Sequence, residues 1–236
     1  MRWNPPVETL FLDAGGVLVF PNWDRVSAAL ARHGVRVSAD ALRCVEPAAK
    51  FAVDQSRGSS TNADAQHARV YMDLVLEQAG VAHSIGRERA LAELRAYHDE
   101  HNLTEHVPDD VIPALTRLTA LGVKLVVASN ANGILQRLFD RVGLSRYFHT
   151  IGDSTVEGAE KPDPRFFDLV LRRSGARPET TLHVGDLYHV DVIGARNSGL
   201  RALLIDPHDL YAGYDVDRVK TLDELVARFE AGQRDD

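Results

Sequence analysis

Asp13 closes the apolar run Leu10-Phe11-Leu12 and is followed at once by Ala14-Gly15-Gly16. Further along, Ser129-Asn130 closes Leu125-Val126-Val127-Ala128, and Lys161 stands before Pro162. Gly185-Asp186 closes Leu182-His183-Val184, with Asp191 shortly after. Three of these runs have the length and the leucine or β-branched content of buried parallel strands. Ligands of an open α/β sheet bind outside the carboxyl ends of its strands. The pattern therefore predicts that Asp13, Ser129 and Asp186 converge on one spot, with Lys161 reaching in from a loop. Carboxylates, a hydroxyl and an ammonium gathered together suit Mg²⁺ and a phosphoryl group.

Each residue type has a task in that chemistry. A carboxylate at Asp13, beside backbone N–H groups of a glycine-rich turn, can approach a bound anion and attack phosphorus. Asp186 offers a second oxygen to a hard cation, since Mg²⁺ takes one or two protein carboxylates and fills its shell with water and phosphate. Ser129 and Asn130 can donate hydrogen bonds to phosphate oxygens. Lys161, one of four lysines with Lys50, Lys124 and Lys220, is a point charge for the phosphoryl group and the negative charge that develops on it. Asp191, on the turn that opens a helix, can hold Lys161 or a metal-bound water; a carboxylate there also suits the helix dipole.

Taken together, in this order and context, Asp13-Ala14-Gly15-Gly16-Val17-Leu18, Ser129-Asn130, Lys161-Pro162 and Gly185-Asp186 with Asp191 resemble the four motifs of the haloacid dehalogenase superfamily. The likeness is to its Mg²⁺-dependent phosphatase branch with a helical cap, and it spans essentially the whole chain. The resemblance implies hydrolysis of a small phosphorylated metabolite through an aspartyl-phosphate. It makes Asp13 nucleophile and metal ligand, the Gly15 carbonyl and Asp186 further metal ligands, Ser129 and Lys161 the phosphoryl-binding pair, and Asp191 the orienting residue. One position departs from the family. Where its phosphatases carry a second Asp as general acid and base, this chain has Gly15. General acid–base help contributes about 10²–10⁴ in rate, so Gly15 raises a rival reading, a weak or silent phosphate-ligand binder. The dehalogenase branch also lacks that Asp, but Asp186 and Asp191 argue against it. The phosphonate-cleaving branch uses a cap lysine, for which Lys50 is the only candidate.

Other polar clusters have plainer readings. His98-Asp99-Glu100-His101, with His106 nearby, reads as the polar end of a helix rather than a metal cluster. His183, inside a buried strand, is expected to be hydrogen-bonded structurally. Trp23 and Tyr71 face a substrate or belong to a cap core. Arg57-Gly58-Ser59-Ser60 is a substrate-reading loop or a turn. His33 and His67 are the first candidates for a substitute proton donor. Cys44, the single cysteine, is expected to be a small buried hydrophobe.

The elements that must position these residues follow from the chain's 236 residues, 44% of them hydrophobic, enough for a proper core. A net charge of −7 without a basic run argues against nucleic-acid or anionic-membrane partners. No signal-like or membrane-spanning apolar run is visible, and a cytoplasmic protein is expected. The partner is a small phosphorylated molecule; nothing indicates an oligomeric state.

After the first strand come successive helical patterns. Asn22 or Asp24, Ser38, Thr61 or Asn62, and Ser84 serve as N-caps, with an interruption or kink near Pro47 and stops at Gly34 and Gly80. A fifth helix carries Val111 to Leu118. Such a connection is too long for an ordinary strand–helix link, so residues 18–106 read as an inserted helical cap. Residues 1–17 and 107–236 read as the α/β core, a doubly wound parallel sheet of the Rossmann-like kind. Strands are expected at 123–129, 148–152, 181–186 and 201–206, alternating with helices, and a final helix at 222–229.

Overall fold

The computed structural model describes residues 6–57 and 64–233. The suggested helix start at Thr61 or Asn62, Gly58-Ser59-Ser60 and the His67 side chain lie outside the described residues. In chain order the elements are β1 (Thr9–Leu12), β2 (Phe20–Pro21), α1 (Trp23–Arg32), α2 (Ala39–Arg57), α3 (Asp64–Gln78), α4 (Ile85–His101), β3 (Thr104–His106) and α5 (Val111–Ala120). Then follow β4 (Lys124–Ser129), α6 (Leu135–Arg141), β5 (Thr150–Asp153), α7 (Ser154–Glu157), α8 (Pro164–Ser174), β6 (Thr181–Gly185), α9 (Ile193–Asn197), β7 (Arg201–Ile205), β8 (Asp217–Val219) and α10 (Leu222–Gln233). No helix among the described residues is long and apolar enough to cross a membrane.

The chain divides into two compact units, one of residues 1–20 and 106–236 and the other of residues 21–105. The first is built on a six-stranded sheet in the order β5-β4-β1-β6-β7-β8, with parallel pairing throughout. The chain winds from β1 to one side through β4 and β5, then to the other through β6, β7 and β8. This doubly wound order puts the topological switch point, where such sheets bind ligands, at the end of β1 between β4 and β6.

Alternation along the strands divides the core into two layers. Leu10, Leu12, Leu125, Val127, Leu182 and Val184 face one layer, which α5, α6 and α10 complete with Leu115, Leu138 and Val226. Phe11, Val126 and Ala128 face the other, packed by Phe166, Phe167 and Val170 of α8 and by Ala195 of α9. A strand covered on both faces has no polar side, so β1 is apolar apart from Thr9 and buried along its whole length.

The second unit is helical. Val26, Leu30, Leu42, Ala49, Val75, Leu76, Ala90 and Leu94 form its core, burial that gives these short amphipathic helices most of their stability. Asn22 and Ser84 cap α1 and α4 by accepting the backbone N–H of Arg25 and Arg87, and Ser38 accepts that of Ala41. Pro47 lies inside α2, which runs through it without interruption; Leu42 on one side of it and Ala49 and Val53 on the other are buried, which offsets the ~3 kcal/mol a helical proline costs. One expectation fails here. Cys44 is exposed, because it lies off the buried stripe that Leu42, Ala49 and Val53 define. Trp23 is core in this unit, 6.5 Å from the Tyr71 ring, whose hydroxyl donates to Glu46. Lys50 lies 3.9 Å from the same Glu46 carboxylate.

In the first unit, β5 begins at Thr150 rather than at 148, and β8 adds an edge strand of three residues, of which only Val219 is buried, that the sequence pattern did not signal.

Candidate active site

The end of β1 is fixed by its neighbour: the Asp13 N–H donates to the Val184 carbonyl of β6 at 2.9 Å. The chain then doubles back. Leu18 and Val19 N–H groups donate to the Ala14 carbonyl, and Gly16 N–H to that of Val19. Gly16 has φ 79°, a left-handed conformation that favours glycine. Gly15 does not need its missing side chain, because a Cβ there would have nothing within 4 Å.

Ser129 ends β4, with its hydroxyl 3.5 Å from the Asn130 carbonyl. The Asn130 side chain binds the backbone of the loop that carries Lys161. Its Oδ1 accepts the Lys161 N–H at 2.8 Å and its Nδ2 donates to the Lys161 carbonyl at 2.9 Å. That pair of bonds clamps the loop carrying Lys161, whose peptide to Pro162 is cis.

The β4–α6 loop is held by a residue that sequence reasoning missed. Asp153, at the end of β5, accepts the N–H groups of Gly133, Leu135 and Thr155, while Ser154 Oγ accepts that of Ala131. The signal was available: Asp153-Ser154 closes the third strand of the six-stranded sheet, β5, as Ser129-Asn130 closes the second, β4.

Lys161, only 1% exposed, places Nζ 2.9 Å from Asp13 Oδ1 and 2.7 Å from Asp191 Oδ1. Burial opposes its charge, but the two carboxylates outweigh burial and hold the ammonium well above the ordinary lysine range. Asp191 is the reciprocal case. Burial pushes its carboxyl up, yet Lys161 and the His183 hydrogen bond pull it well below the usual carboxylate range. For Asp13 burial wins. Lys161 and a hydrogen bond from Ser129 only partly offset burial and Asp191, leaving the Asp13 carboxyl above its ordinary value.

Asp191 sits in a π-helical turn, Tyr188–Val192, ahead of α9, and not on an ordinary helix N-terminus. Its Oδ2 accepts the N–H groups of Asp186 and Leu187 at 3.2 and 3.0 Å. Its Oδ1 accepts from Lys161 Nζ, with His183 Nε2 at 2.9 Å. Gly185 makes room for this: a Cβ there would fall 2.0 Å from Asp191 Cγ.

Asp13, Asp186 and Asp191 each bring a carboxylate oxygen within 4.8 Å of the others, and they are the sole such metal-competent group among the described residues. Within that group the fit to a cation is uneven. The four acceptor positions of Asp191 are filled, whereas Asp13 Oδ1 meets only the Lys161 ammonium, at 2.9 Å, among the described residues. Three buried carboxyl groups meet a single ammonium here, an excess of negative charge that suits a divalent cation. The His98-to-His101 segment does end α4, with His98 Nδ1 accepting the Leu103 N–H.

Comparison with known proteins shows the family and the fold. A haloacid dehalogenase-like hydrolase profile matches residues 7–199. A glyceraldehyde 3-phosphate phosphatase of Methanopyrus kandleri is 30% identical over 167 residues, 66% of this chain and 71% of that protein. The human haloacid dehalogenase-like hydrolase domain-containing protein 3 is 31% identical over 138 residues, 57% of this chain. The match spans 55% of that relative, about half its length. In fold, the chain resembles a Bacillus subtilis hydrolase solved bound to magnesium, with TM-score 0.69 and 17% identity over 95% of this chain and 99% of that one.

Proposed function

Since the chain belongs to the haloacid dehalogenase-like hydrolases, we propose that it is a Mg²⁺-dependent phosphatase of small phosphorylated metabolites working through an aspartyl-phosphate on Asp13. The observation that carries this reading is the buried Lys161 ammonium bridging Asp13 and Asp191 beside Asp186. The phosphatase name of the Methanopyrus relative supports it. In this scheme the Asp13 carboxylate attacks phosphorus; an O–P bond to Asp13 forms as the bond to the leaving oxygen breaks. Lys161 and the Ser129 hydroxyl balance charge on the transferring oxygens, with Lys161 held by Asp191 and Asn130. Water then attacks phosphorus, releasing inorganic phosphate and restoring Asp13.

Asp13, Asp186 and the Gly15 carbonyl would hold Mg²⁺, which supplies charge neutralisation between nucleophile and phosphoryl group when bound. Gly15 brings no proton donor, so the leaving oxygen takes its proton from water in this scheme.

The test is a panel of phosphorylated metabolites assayed with and without Mg²⁺, with acid-quench trapping of a phospho-enzyme. Turnover that needs Mg²⁺ and labels Asp13 is the expected result. Binding of phosphate and Mg²⁺ without turnover would make the protein the silent ligand binder that Gly15 suggests.

A further inference from the structure

His183 lies in β6, with its side chain in the layer formed by Phe11, Val126, Phe166 and Phe167. It is fully buried. The Phe167 ring meets it edge-on, with centroids 5.1 Å apart and planes at 80°, which fixes the plane of the imidazole. Its Nε2 is 2.9 Å from Asp191 Oδ1, while Nδ1 has no partner. A proton on Nδ1 would be a buried donor without an acceptor, so the arrangement selects the Nε2–H tautomer. Burial also holds this imidazole below the ordinary histidine value, against the pull of Asp191.

Asp191 Oδ1 is therefore shared by two donors, the Lys161 ammonium at 2.7 Å and the His183 imidazole at 2.9 Å. The other oxygen is committed to two backbone N–H groups. Without the His183 donor, Lys161 is the sole donor left on Oδ1, and in a buried setting that oxygen pulls the ammonium more strongly. That pull is away from Asp13, which Lys161 also contacts.

Resting on the phosphatase reading, we propose that His183 is a positioning residue: by donating Nε2–H to Asp191 it keeps Lys161 poised between Asp191 and Asp13, where the phosphoryl group binds. The site thus has a support that reaches through the sheet layer and touches no substrate. An apolar residue would fill the same place among phenylalanines but would leave Asp191 to compete for the lysine.

The experiment compares wild type, His183→Leu and His183→Gln as full-length proteins with Mg²⁺, reading kcat, KM and inhibition by inorganic phosphate. Support around a reacting centre typically contributes about 10–100-fold. His183→Leu should lose kcat/KM on that scale, with KM and the phosphate inhibition constant rising together. His183→Gln, whose amide N–H reaches near the Nε2 position, should recover most of the loss. Equal loss in both variants, or a loss in kcat alone with phosphate inhibition unmoved, overturns the proposal. Nitrogen-15 NMR of the wild type gives an answer even if the leucine variant fails to fold. A proton on Nε2 at pH 7 supports the assignment, and a neutral Nδ1–H tautomer, which has no Nε2 proton to donate, refutes it. A wild type that neither hydrolyses phosphate esters nor binds phosphate overturns the phosphatase reading and this inference with it. A competent wild type with His183→Leu unchanged overturns this inference alone.

Discussion

Two residues, Asp13 and Gly15, make opposite demands on the chemistry. Asp13 is a carboxylate that burial holds above its ordinary value and whose Oδ1 meets only the Lys161 ammonium among the described residues. Those properties suit an oxygen that forms bonds during turnover. Replacing it with Asn keeps the shape and removes the nucleophile, so Asp13→Asn should lower kcat by roughly 10⁴-fold or more and abolish the trapped phospho-enzyme. Asp186→Asn should act differently, raising the Mg²⁺ concentration needed for half-maximal rate while sparing some turnover at saturation. Near-normal activity in Asp13→Asn would sink the mechanism. At Gly15 the structure offers open space around a would-be Cβ, and the turn's left-handed strain falls on Gly16 instead. With no acid at the leaving group, aryl and acyl phosphates should react much faster than alkyl phosphates. Gly15→Asp should raise alkyl-phosphate hydrolysis by up to about 10²-fold, within the range of general acid catalysis. A wild type that cleaves alkyl and aryl esters equally fast would mean that another residue supplies the proton.

The elements show why glycine stands at one strand end and histidine at one helix end. Gly185 closes β6 directly beneath the Asp191 carboxylate. Gly185→Ala must push that carboxylate out of a four-donor site, and overpacking of this kind costs about 1–3 kcal/mol. It should therefore lower activity and the urea midpoint together, whereas Gly15→Ala should spare the midpoint. His98, at the end of α4, accepts the Leu103 N–H through Nδ1. Burial holds its imidazole below the ordinary value, against the pull of Asp99. A folded pKa below the unfolded one (about 6.5) means that the unfolded chain binds the proton first. The stability His98 contributes is then present above about pH 6.5 and is lost as pH falls toward its folded pKa, at up to about 1.4 kcal/mol per pH unit. His98→Asn keeps an acceptor and does not titrate. Its stability relative to wild type should improve as pH drops from 7 to 5, and a pH-independent difference would contradict this.

The same elements mark how far the sequence was legible. β1, β4 and β6 could be read because burial on both faces leaves uninterrupted apolar runs, and the polar residue ending each run falls at the sheet's carboxyl edge. β8 could not, being a three-residue edge strand in which only Val219 is buried. The clamp by Asn130, the loop support by Asp153 and the shared oxygen of Asp191 depend on contacts between segments distant in sequence. Local pattern names those residues without giving their partners.

At the scale of the whole molecule, two units with separate cores make a single unfolding free energy ill-defined, so linkage to a ligand has to be read region by region. Metal binding is the informative case. The α/β unit gathers three buried carboxyl groups around one ammonium, and a cation that binds the folded site alone stabilises it by mass action. At Mg²⁺ about a hundredfold above its Kd that stabilisation is about 2.7 kcal/mol. Slowed amide exchange should accordingly concentrate in β1, β6 and the turns that follow them, because Asp13 and Asp186 belong to those segments. EDTA should remove both this protection and the activity, Mg²⁺ should restore both, and Asp186→Asn should blunt both. The two readouts separate the possible failures. Protection without activity describes a metal- and phosphate-binding protein that does not turn over. Activity that survives EDTA, with cleavage of a 2-haloacid, describes a dehalogenase in which Asp13 attacks carbon and the acidic cluster serves only to hold Lys161. A phosphatase requires that protection and activity rise along the same Mg²⁺ titration, with a shared midpoint.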